Sequence, residues 1–465
     1  MDLTPEAQRL AVIVAAVVVL WITEALPLAV TALAGAVACV VAGVAPAKEV
    51  FRPFADPLIF LFIGSFLLAE AIRHHGLDRR LAYAVLGLPW VGERPGRIVA
   101  AVAVVSVLIS SFLSNTVTAA MMLAIVSGIL TAVEEAGRST GRVPAATYAT
   151  GLLLCVAFAA SIGGLATPIG SPPNLIGLGF IREASGTDVT FLGWCAIGVP
   201  VVAVLTTVAV LVLTRLFPAG LDRLEGVRGH VAASRATLGP WTAGQWSTAF
   251  AFGLTVVLWV TPGVLLAVLG PGHEVCRWLR ERLPEGVAAL VGAILLFVLP
   301  GPVHDGRRQR ALRWHDARID WDIVLLYGGG MALGELCFST GLAKVVGGAL
   351  TGWIPAGPWA GTVLVAVATV VAVVTSEFTS NTASATMVVP VVIALSRAAG
   401  GDTTTAALAA TFASSLGFMM PVSTPCNALV YGSGRIPLRS MMAAGSLLDV
   451  AGVIVITAAM LLAGR

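Results

Sequence analysis

Two copies of the tripeptide Ser-Asn-Thr lie inside long apolar stretches, at Ser114–Thr116 and at Ser380–Thr382. Each copy is followed further along the chain by a short polar turn that contains proline, at Thr167–Asn174 and at Val422–Asn427. Hydroxyl and amide oxygens suit a hard cation such as Na⁺, and prolines free backbone carbonyls by removing N–H donors. The tripeptides and the proline turns occupy matching positions in the two halves of an apolar chain. This arrangement predicts a transporter binding site near the membrane midplane.

Each tripeptide is predicted to lie at the tip of a re-entrant hairpin, where one half-helix ends and another begins. The N terminus of the outgoing half-helix offers N–H groups and partial positive charge to an anion. Neither hairpin core contains Lys or Arg. A carboxylate bound there needs helix dipoles, hydroxyls and co-bound cations, because a bare anion at that depth costs several kcal/mol or more. The sequence therefore predicts that anion binding depends on a cation.

Each half of the chain can build one cation site from the tripeptide, the polar turn and a serine that precedes the tripeptide. Ser110 and Ser376 lie one helical turn before the tripeptide serine and on the same helix face. The predicted Na⁺ ligands are Ser110, Ser114, Asn115 and Gly170 in the first half and Ser376, Ser380, Asn381 and Ser423 in the second.

The composition places most of the chain in lipid. Of 465 residues, 57% are hydrophobic and only 11% are charged, against roughly 25% charged residues in soluble domains. A net charge of +3 is too small to indicate nucleic-acid binding. The sequence has no HExxH motif, no paired Cys or His ligands and no Ser/His/Asp arrangement in its apolar runs. A membrane enzyme is therefore disfavoured, and no cofactor is expected apart from Na⁺ as coupling ion.

The apolar runs predict an all-α membrane protein with about ten crossings, since a crossing needs about 17–25 residues. Two further stretches, about 98–131 and 359–397, carry the tripeptides at their centres and are predicted to be the hairpins. The predicted crossings lie near 9–25, 28–45, 57–75, 147–181 (interrupted), 190–216, 246–270, 286–301, 320–338, 404–432 (interrupted) and 440–463.

The two halves match as repeats. Val18–Thr23 matches Val256–Thr261, Ala32–Ala36 matches Ala289–Ala293, and Gly64 aligns with Gly329. Each repeat has five crossings, an odd number, so the second repeat has the opposite orientation in the membrane and the repeat is inverted. Because Arg and Lys favour cytoplasmic loops, we expect the first hairpin to open inward, the second to open outward, and both termini to lie outside.

The predicted organisation has three parts. Residues 1–216 form the first repeat, 217–245 a cytoplasmic linker and 246–465 the second repeat.

These features together resemble the divalent anion–sodium symporter family, the carriers of dicarboxylates, citrate and sulfate. The resemblance covers nearly the whole chain. Beyond the paired tripeptides, it rests on Trp21–Pro27, Phe60–Gly64, Gly328–Gly330, Thr375–Thr382 and the stretch from Pro421 to Gly434.

The resemblance implies an elevator carrier, usually a homodimer, in which a scaffold and a transport domain each draw on both repeats. It implies the Na⁺ ligands given above. It also implies substrate contacts from Asn115, Thr116, Ser171, Asn381, Thr382 and Thr424.

The expected function is Na⁺-coupled symport of a dianion across the bacterial inner membrane. A four-carbon dicarboxylate such as succinate, malate or fumarate is favoured. A dicarboxylate exchanger and a sulfate symporter remain alternatives, and a channel is disfavoured by the paired hairpins.

Two positions depart from the pattern. Cys426 stands where the first half has Pro173 and the family commonly has proline. Glu377 is an acid inside the second hairpin, where the first half has Ser111; it either attracts a cation or makes a structural hydrogen bond. Many family members also carry one more helix ahead of the Trp21 segment, and this chain starts too late to hold it. We therefore expect ten crossings and an outside N terminus; a mis-set start is the alternative explanation.

Overall fold

The computed structural model describes residues 3–270, 272–304, 306–350, 352, 357 and 359–464. Helices account for nearly all of its regular structure, and ten of the described helices are long and apolar enough to cross a membrane. The predicted all-α, multi-pass membrane fold is confirmed.

Eleven helices precede residue 243, and a 3₁₀ turn at Arg52–Ala55 lies between the third and fourth. They are α1 Pro5–Thr23, α2 Leu28–Val41, α3 Ala47–Val50, α4 Pro57–His74, α5 Leu77–Leu86, α6 Pro95–Ser110, α7 Asn115–Thr140, α8 Ala146–Gly163, α9 Pro172–Ser185, α10 Phe191–Leu216 and α11 Val227–Ala236.

The second half repeats this order with one short β-hairpin, followed by a 3₁₀ turn at Trp314–Asp316. Its elements are α12 Ala243–Leu269, α13 Glu274–Arg282, α14 Glu285–Val298, β1 Pro300–His304, β2 Arg307–Arg310, α15 Trp321–Ser339, α16 Leu342–Leu350, α17 Ala360–Phe378, α18 Asn381–Ala398, α19 Thr403–Ala413, α20 Pro425–Tyr431 and α21 Leu438–Ala463.

The breaks fall where the tripeptides and prolines predict them. The hairpin arms are α6 with α7 and α17 with α18, and the interrupted segments are α8 with α9 and α19 with α20. The ten long helices are not the ten predicted crossings, because α7, α17 and α18 are hairpin arms. Conversely, the predicted crossings at α2 and α14 are helices of only 14 residues each.

One local expectation was wrong. The crossing predicted at 286–301 ends at Val298, and the chain then forms the antiparallel pair β1–β2, with Val303 opposite Arg308. Pro300 and Pro302 explain the change, since proline cannot donate the backbone hydrogen bond that would continue the helix.

Small residues let helices of the two halves approach closely and reciprocally. A Cβ on Gly64 of α4 would lie 2.6 Å from Cβ of Ala289 in α14. A Cβ on Gly329 of α15 would lie 2.7 Å from Cβ of Ala32 in α2. These are the same residues that align between the repeats, so each half supplies one glycine and one alanine to two equivalent helix pairs.

The Arg-rich segments meet at one end of the molecule. Arg80 Nη2 donates to the carbonyl of Leu238 at 2.9 Å, which joins α5 to the predicted linker. His75 Nε2 lies 2.6 Å from the carbonyl of Ala311, which joins it to the segment after β2. We call this the Arg-rich end.

The predicted linker is folded against the first repeat. It contains α11, which packs against α5 and α7. Ala145, just before α8, donates its N–H to the carbonyl of Ala219 at 2.9 Å. Arg435 pairs with Glu134 of α7 at 2.9 Å, so the segment after α20 lies at the Arg-rich end as well.

Candidate functional site

The tip of the first hairpin is formed where α6 ends at Ser110 and α7 begins at Asn115. Ser110 is fully buried, and its hydroxyl donates to the carbonyl of Ala160, in the last turn of α8, at 2.6 Å. The polar turn after α8 therefore lies directly beside the tripeptide. Asn115, Ser110 and Gly170, three of the four predicted first-half ligands, come together here.

The Asn115 amide is the centre of this group. One of its two terminal atoms lies 2.7 Å from Ser110 Oγ and 3.2 Å from the carbonyl oxygens of Ala160 and Gly170. A nitrogen in that place carries two N–H groups, which can donate to two of these three oxygens at a time. With the amide turned over, its oxygen lies beside these three oxygens, and neutral oxygens of this kind suit a hard monovalent cation.

The second hairpin repeats the arrangement. Ser376 Oγ lies 2.8 Å from Asn381 Oδ1 and 2.9 Å from the carbonyl of Ser414, which caps α19. Asn381 Nδ2 donates to the carbonyl of Ser415 at 3.2 Å. In each half the serine before the tripeptide thus bonds a carbonyl at the end of the neighbouring interrupted helix, although Ser414 lies one position beyond Ala413, the equivalent of Ala160.

Ser423 is held differently from Gly170, its equivalent in the first half. Its hydroxyl lies 2.9 Å from the carbonyl of Glu377 and 2.7 Å from the Glu377 carboxylate. Gly417 lies between Ser423 and Ser376, because a Cβ there would be 3.2 Å from Ser423 Cβ and 3.3 Å from Ser376 Oγ. The predicted ligands Ser376, Asn381 and Ser423 are therefore neighbours.

The tripeptide serines do not share these contacts. Ser114 is exposed, and its hydroxyl makes no capping bond to α7. It lines a cavity of about 560 Å³ that also contacts Arg73 and Arg318. The Ser380 hydroxyl instead accepts from the N–H of Ala383 at 3.2 Å and caps α18.

Two asparagines that sequence reasoning did not assign to the site brace the polar turns. Asn174 Nδ2 donates to the carbonyls of Gly164 and Thr167 at 2.8 and 2.9 Å. Asn427 Nδ2 donates to the carbonyls of Gly417 and Met420 at 3.0 and 2.9 Å. Both are fully buried. Their positions at the end of each proline turn, in register, were the signal that could have identified them.

The predicted substrate residues lie at the N termini of four helices. Asn115 and Thr116 begin α7, Asn381 and Thr382 begin α18, and all four are half-buried. Ser171 and Thr424 precede α9 and α20 and are each 3% exposed. Helix N termini present unpaired N–H groups, which can bind carboxylate oxygens.

The two halves interlock around this centre. α9 packs against α18 and α19, while α20 packs against α7 and α8. The thiol of Cys426 in α20 lies beside the hydroxyls of Thr116 and Ser161 from the first half. The rings of Phe158 and Phe418 meet edge to face at 5.2 Å. One half's polar turn therefore lies against the other half's tripeptide.

Solved transporters share this fold. The structure is similar to that of the YdaH transporter of Alcanivorax borkumensis, with a TM-score of 0.55 and 14% identity over 89% of this chain and 86% of that one. It is also similar to Neisseria gonorrhoeae MtrF, with a TM-score of 0.57 and 13% identity over 89% of this chain and 82% of that one. At these identities the likeness concerns the fold alone.

The fold and its duplicated polar centre define a multi-pass membrane transporter, not an enzyme. A family model described as the sodium:sulfate symporter transmembrane region matches residues 1–464. The chain therefore belongs to this family, the divalent anion–sodium symporters.

Curated relatives agree with this membership. The sodium-dependent dicarboxylate transporter SdcS of Staphylococcus saprophyticus subsp. saprophyticus is 30% identical over 440 residues, which are 94% of this chain and 82% of the relative. The protein of the same name from Staphylococcus aureus has the same identity and coverage. These relatives are bacterial, in agreement with the predicted location in the plasma membrane.

Proposed function

We propose that the protein is a Na⁺-coupled symporter of a four-carbon dicarboxylate such as succinate, malate or fumarate. The observation that carries this proposal is the twofold oxygen cluster, Ser110–Asn115–Ala160 in one half and Ser376–Asn381–Ser414 in the other. The relatives are named sodium-dependent dicarboxylate transporters, which supports the choice of cation and substrate.

The cation sites follow from the donor chemistry. Ser110, Asn115 and Gly170 would hold one Na⁺ with neutral oxygens, and Ser376, Asn381 and Ser423 would hold a second. Ser114 and Ser380 are also proposed as Na⁺ ligands, because they lie at the tips of the two hairpins. A bound Na⁺ supplies the positive charge that these residues lack.

The substrate would lie between the two tips. Asn115, Thr116 and Ser171 from one half, and Asn381, Thr382 and Thr424 from the other, present amides and hydroxyls at four helix N termini. These dipoles recognise a carboxylate but do not neutralise a dianion. The two cations complete the neutralisation, and coupling follows because neither charge is stable at that depth without the other.

Alternating access would proceed by an elevator movement. The hairpins and interrupted helices would form the transport domain, and the glycine–alanine pairs of α4 with α14 and α2 with α15 would belong to the scaffold. A homodimer joined through the scaffold is part of the proposal. The cavity that reaches Ser114 from the Arg-rich end offers an access path on the side that we expect to be cytoplasmic.

Uptake into proteoliposomes tests the proposal. We expect labelled succinate to accumulate only with an inward Na⁺ gradient, and unlabelled malate or fumarate to compete. Strong competition by sulfate with none by malate would favour the sulfate alternative, which the family model's description keeps open. Counterflow without Na⁺ would favour an exchanger, and dissipative flux without Na⁺ a channel.

A further inference from the structure

An ion pair joins the proposed transport domain to the proposed scaffold at the end opposite the Arg-rich end. Arg182, in the last turn of α9, pairs with Asp56, which caps the first turn of α4. The hydroxyl of Tyr327 in α15 donates to the other carboxylate oxygen of Asp56 at 3.2 Å. We call Asp56, Arg182 and Tyr327 the Asp56 cluster. It connects one transport-domain helix to two scaffold helices.

The cluster lies in a closely packed interface. Tyr327 is 1% exposed, and a Cβ on Gly179 of α9 would lie 2.5 Å from its hydroxyl oxygen. A Cβ on Gly334 of α15 would lie 2.5 Å from the ring of Phe180 in α9. The Arg182 side chain is 31% exposed and that of Asp56 is 16% exposed. Water and salt therefore screen this pair less than a pair at a free surface.

The second-half equivalent of α9 has no such scaffold contact. The alignment that pairs the two bracing asparagines also pairs Gly179 with Gly432 and Arg182 with Arg435. α9 packs against α15, whereas α20 packs against α7 and α8 of the transport domain. Arg435 pairs with Glu134 of α7. Among the described residues, a Cβ on Gly432 would lie within 4 Å only of two carbonyl oxygens of its own helix.

The second half also contains an equivalent of the scaffold aspartate. Asp320 is the N-cap residue of α15, as Asp56 is of α4, and it lies one position from strict alignment of the repeats. It lines the cavity that reaches Ser114 and makes no ion pair with any described residue. Arg435 and Asp320 are thus the unpaired equivalents of the paired Arg182 and Asp56.

One hydroxyl distinguishes the two ends. Tyr327 aligns with Phe62 of α4, and their rings meet edge to face at 5.7 Å. The Tyr327 hydroxyl adds a hydrogen bond to Asp56, and Phe62 has no group that could do the same for Asp320. An interaction made in only one state shifts the equilibrium toward that state. The additional hydrogen bond therefore favours the state seen here.

From this geometry we propose that the Asp56 cluster holds the transport domain in the state whose Ser114 cavity opens at the Arg-rich end, and that Arg435 pairs with Asp320 in the opposite state. Because the repeats are inverted, the opposite state presents α20 to the scaffold as this state presents α9. The inference rests on the alternating access of the proposed function, and it is independent of which cation and which dianion are carried.

Disulfide formation between D320C and R435C measures the opposite state directly. The full-length protein is oxidised in lipid nanodiscs without Na⁺ or dicarboxylate, and the linked peptides from the monomer fraction are quantified by mass spectrometry. The control pair is D320C with R138C, because Arg138 is exposed one helical turn beyond Glu134 and belongs to the same domain.

The rate is compared in three further backgrounds. Y327F removes only the hydroxyl that bonds Asp56, and R182Q removes the ion pair. Y148F is the matched control, because the Tyr148 hydroxyl donates to the Pro95 carbonyl at the same 3.2 Å but within the transport domain. A general loss of stability would therefore affect Y148F and Y327F alike.

We expect the 320–435 disulfide to form faster than the 320–138 disulfide. Its rate should rise roughly tenfold in Y327F, as loss of a hydrogen bond to a charged group implies, and at least as much in R182Q, with no change in Y148F. A 320–435 rate no higher than that of the control pair in every background would overturn the Arg435–Asp320 pairing. Equal 320–435 rates in Y327F, R182Q and Y148F would overturn the role of the Asp56 cluster.

Transport is measured separately on the wild type, so the two proposals can fail independently. The expected disulfide rates together with no Na⁺-driven dicarboxylate uptake would support the Asp56 cluster and refute the cation and substrate of the proposed function.

Discussion

At the scale of single residues, the site is made of small neutral groups whose position matters more than their charge. Asn115 and Asn381 each contact a serine and a carbonyl from the neighbouring interrupted helix. The tripeptide motif predicted these contacts. It could not show that Asn174 and Asn427 hold the facing carbonyls, because their partners are backbone atoms, which a sequence pattern does not distinguish.

Replacing Asn115 by Ala removes the amide at the centre of the first oxygen cluster. A hydrogen bond or ligand to a charged group contributes about 1.5–3 kcal/mol, so the Na⁺ concentration for half-maximal uptake should rise at least about tenfold. Thr131→Ala is the control, since this exposed α7 hydroxyl bonds the Ser127 carbonyl of its own helix. Unchanged Na⁺ dependence in N115A would refute the site assignment.

Replacing Asn174 by Ala removes the donor of the Gly164 carbonyl and one of two donors of the Thr167 carbonyl, which keeps the N–H of Gly170 at 3.3 Å. The buried Gly164 carbonyl left unpaired costs about 1–3 kcal/mol, so the melting temperature of the detergent-solubilised protein should fall by several degrees. Asn427→Ala should do the same in the second half. A wild-type melting temperature in both variants would show that the turns need no bracing.

At the scale of elements, glycine positions decide which helices can touch. Gly64 and Gly329 admit the backbones of α14 and α2, whereas Gly253 of α12 has open space around it. The sequence aligned the first two glycines as repeats but gave no indication of the helices they would contact.

Gly64→Ala should destabilise the protein, because its Cβ would lie 2.7 Å from the Ala289 backbone carbon. Overpacking of this kind costs about 1–3 kcal/mol. Gly253→Ala is the matched control and should be neutral or stabilising, since alanine favours the helix. Thermal unfolding compares the two; equal melting temperatures would contradict the close contact.

The junction between α4 and the segment after β2 should weaken in acid. Burial lowers the pKa of His75 below its ordinary value, and its Nε2–H bonds the Ala311 carbonyl. The folded protein thus favours neutral His75. The stability that neutral His75 contributes to the folded protein is fully present above pH about 6.5. It is lost as the pH falls from that value to the lowered pKa of His75.

Melting temperatures measured between neutral and mildly acidic pH check this expectation. His75→Gln should reduce the acid-dependent loss of stability, while the exposed His315→Gln should leave it unchanged. An identical pH profile in H75Q and wild type would show that other groups cause the loss.

At the scale of the whole molecule, arginine-bearing segments from both halves gather at one end, whereas Arg280 of α13 lies beside the loop between α9 and α10. The loop between α9 and α10 lies at the other end, because α10 runs from Phe191 to Leu216, next to the predicted linker. The charge bias predicts that the Arg-rich end faces the cytoplasm.

Cysteine labelling tests this orientation. Thr187→Cys, in the loop before α10, should react with a membrane-impermeant thiol reagent in intact spheroplasts. Ala236→Cys, at the end of α11, should react only after permeabilisation. Both native positions are exposed, so the reverse pattern would invert the assigned topology.

The sequence by itself determined the lipid environment, the two repeats, the helix breaks and the neutral oxygens at each tip, because these depend on local composition, prolines and in-register duplication. It did not predict the β1–β2 pair, whose first strand begins at Pro300 and includes Pro302, at the end of a run that remained apolar. Only the tertiary structure placed the Cys426 thiol beside the Thr116 hydroxyl and the Ser423 hydroxyl against the Glu377 carboxylate. Those contacts join different segments of the chain, and their partners are selected by how the interlocked halves pack, which periodicity along one helix does not encode.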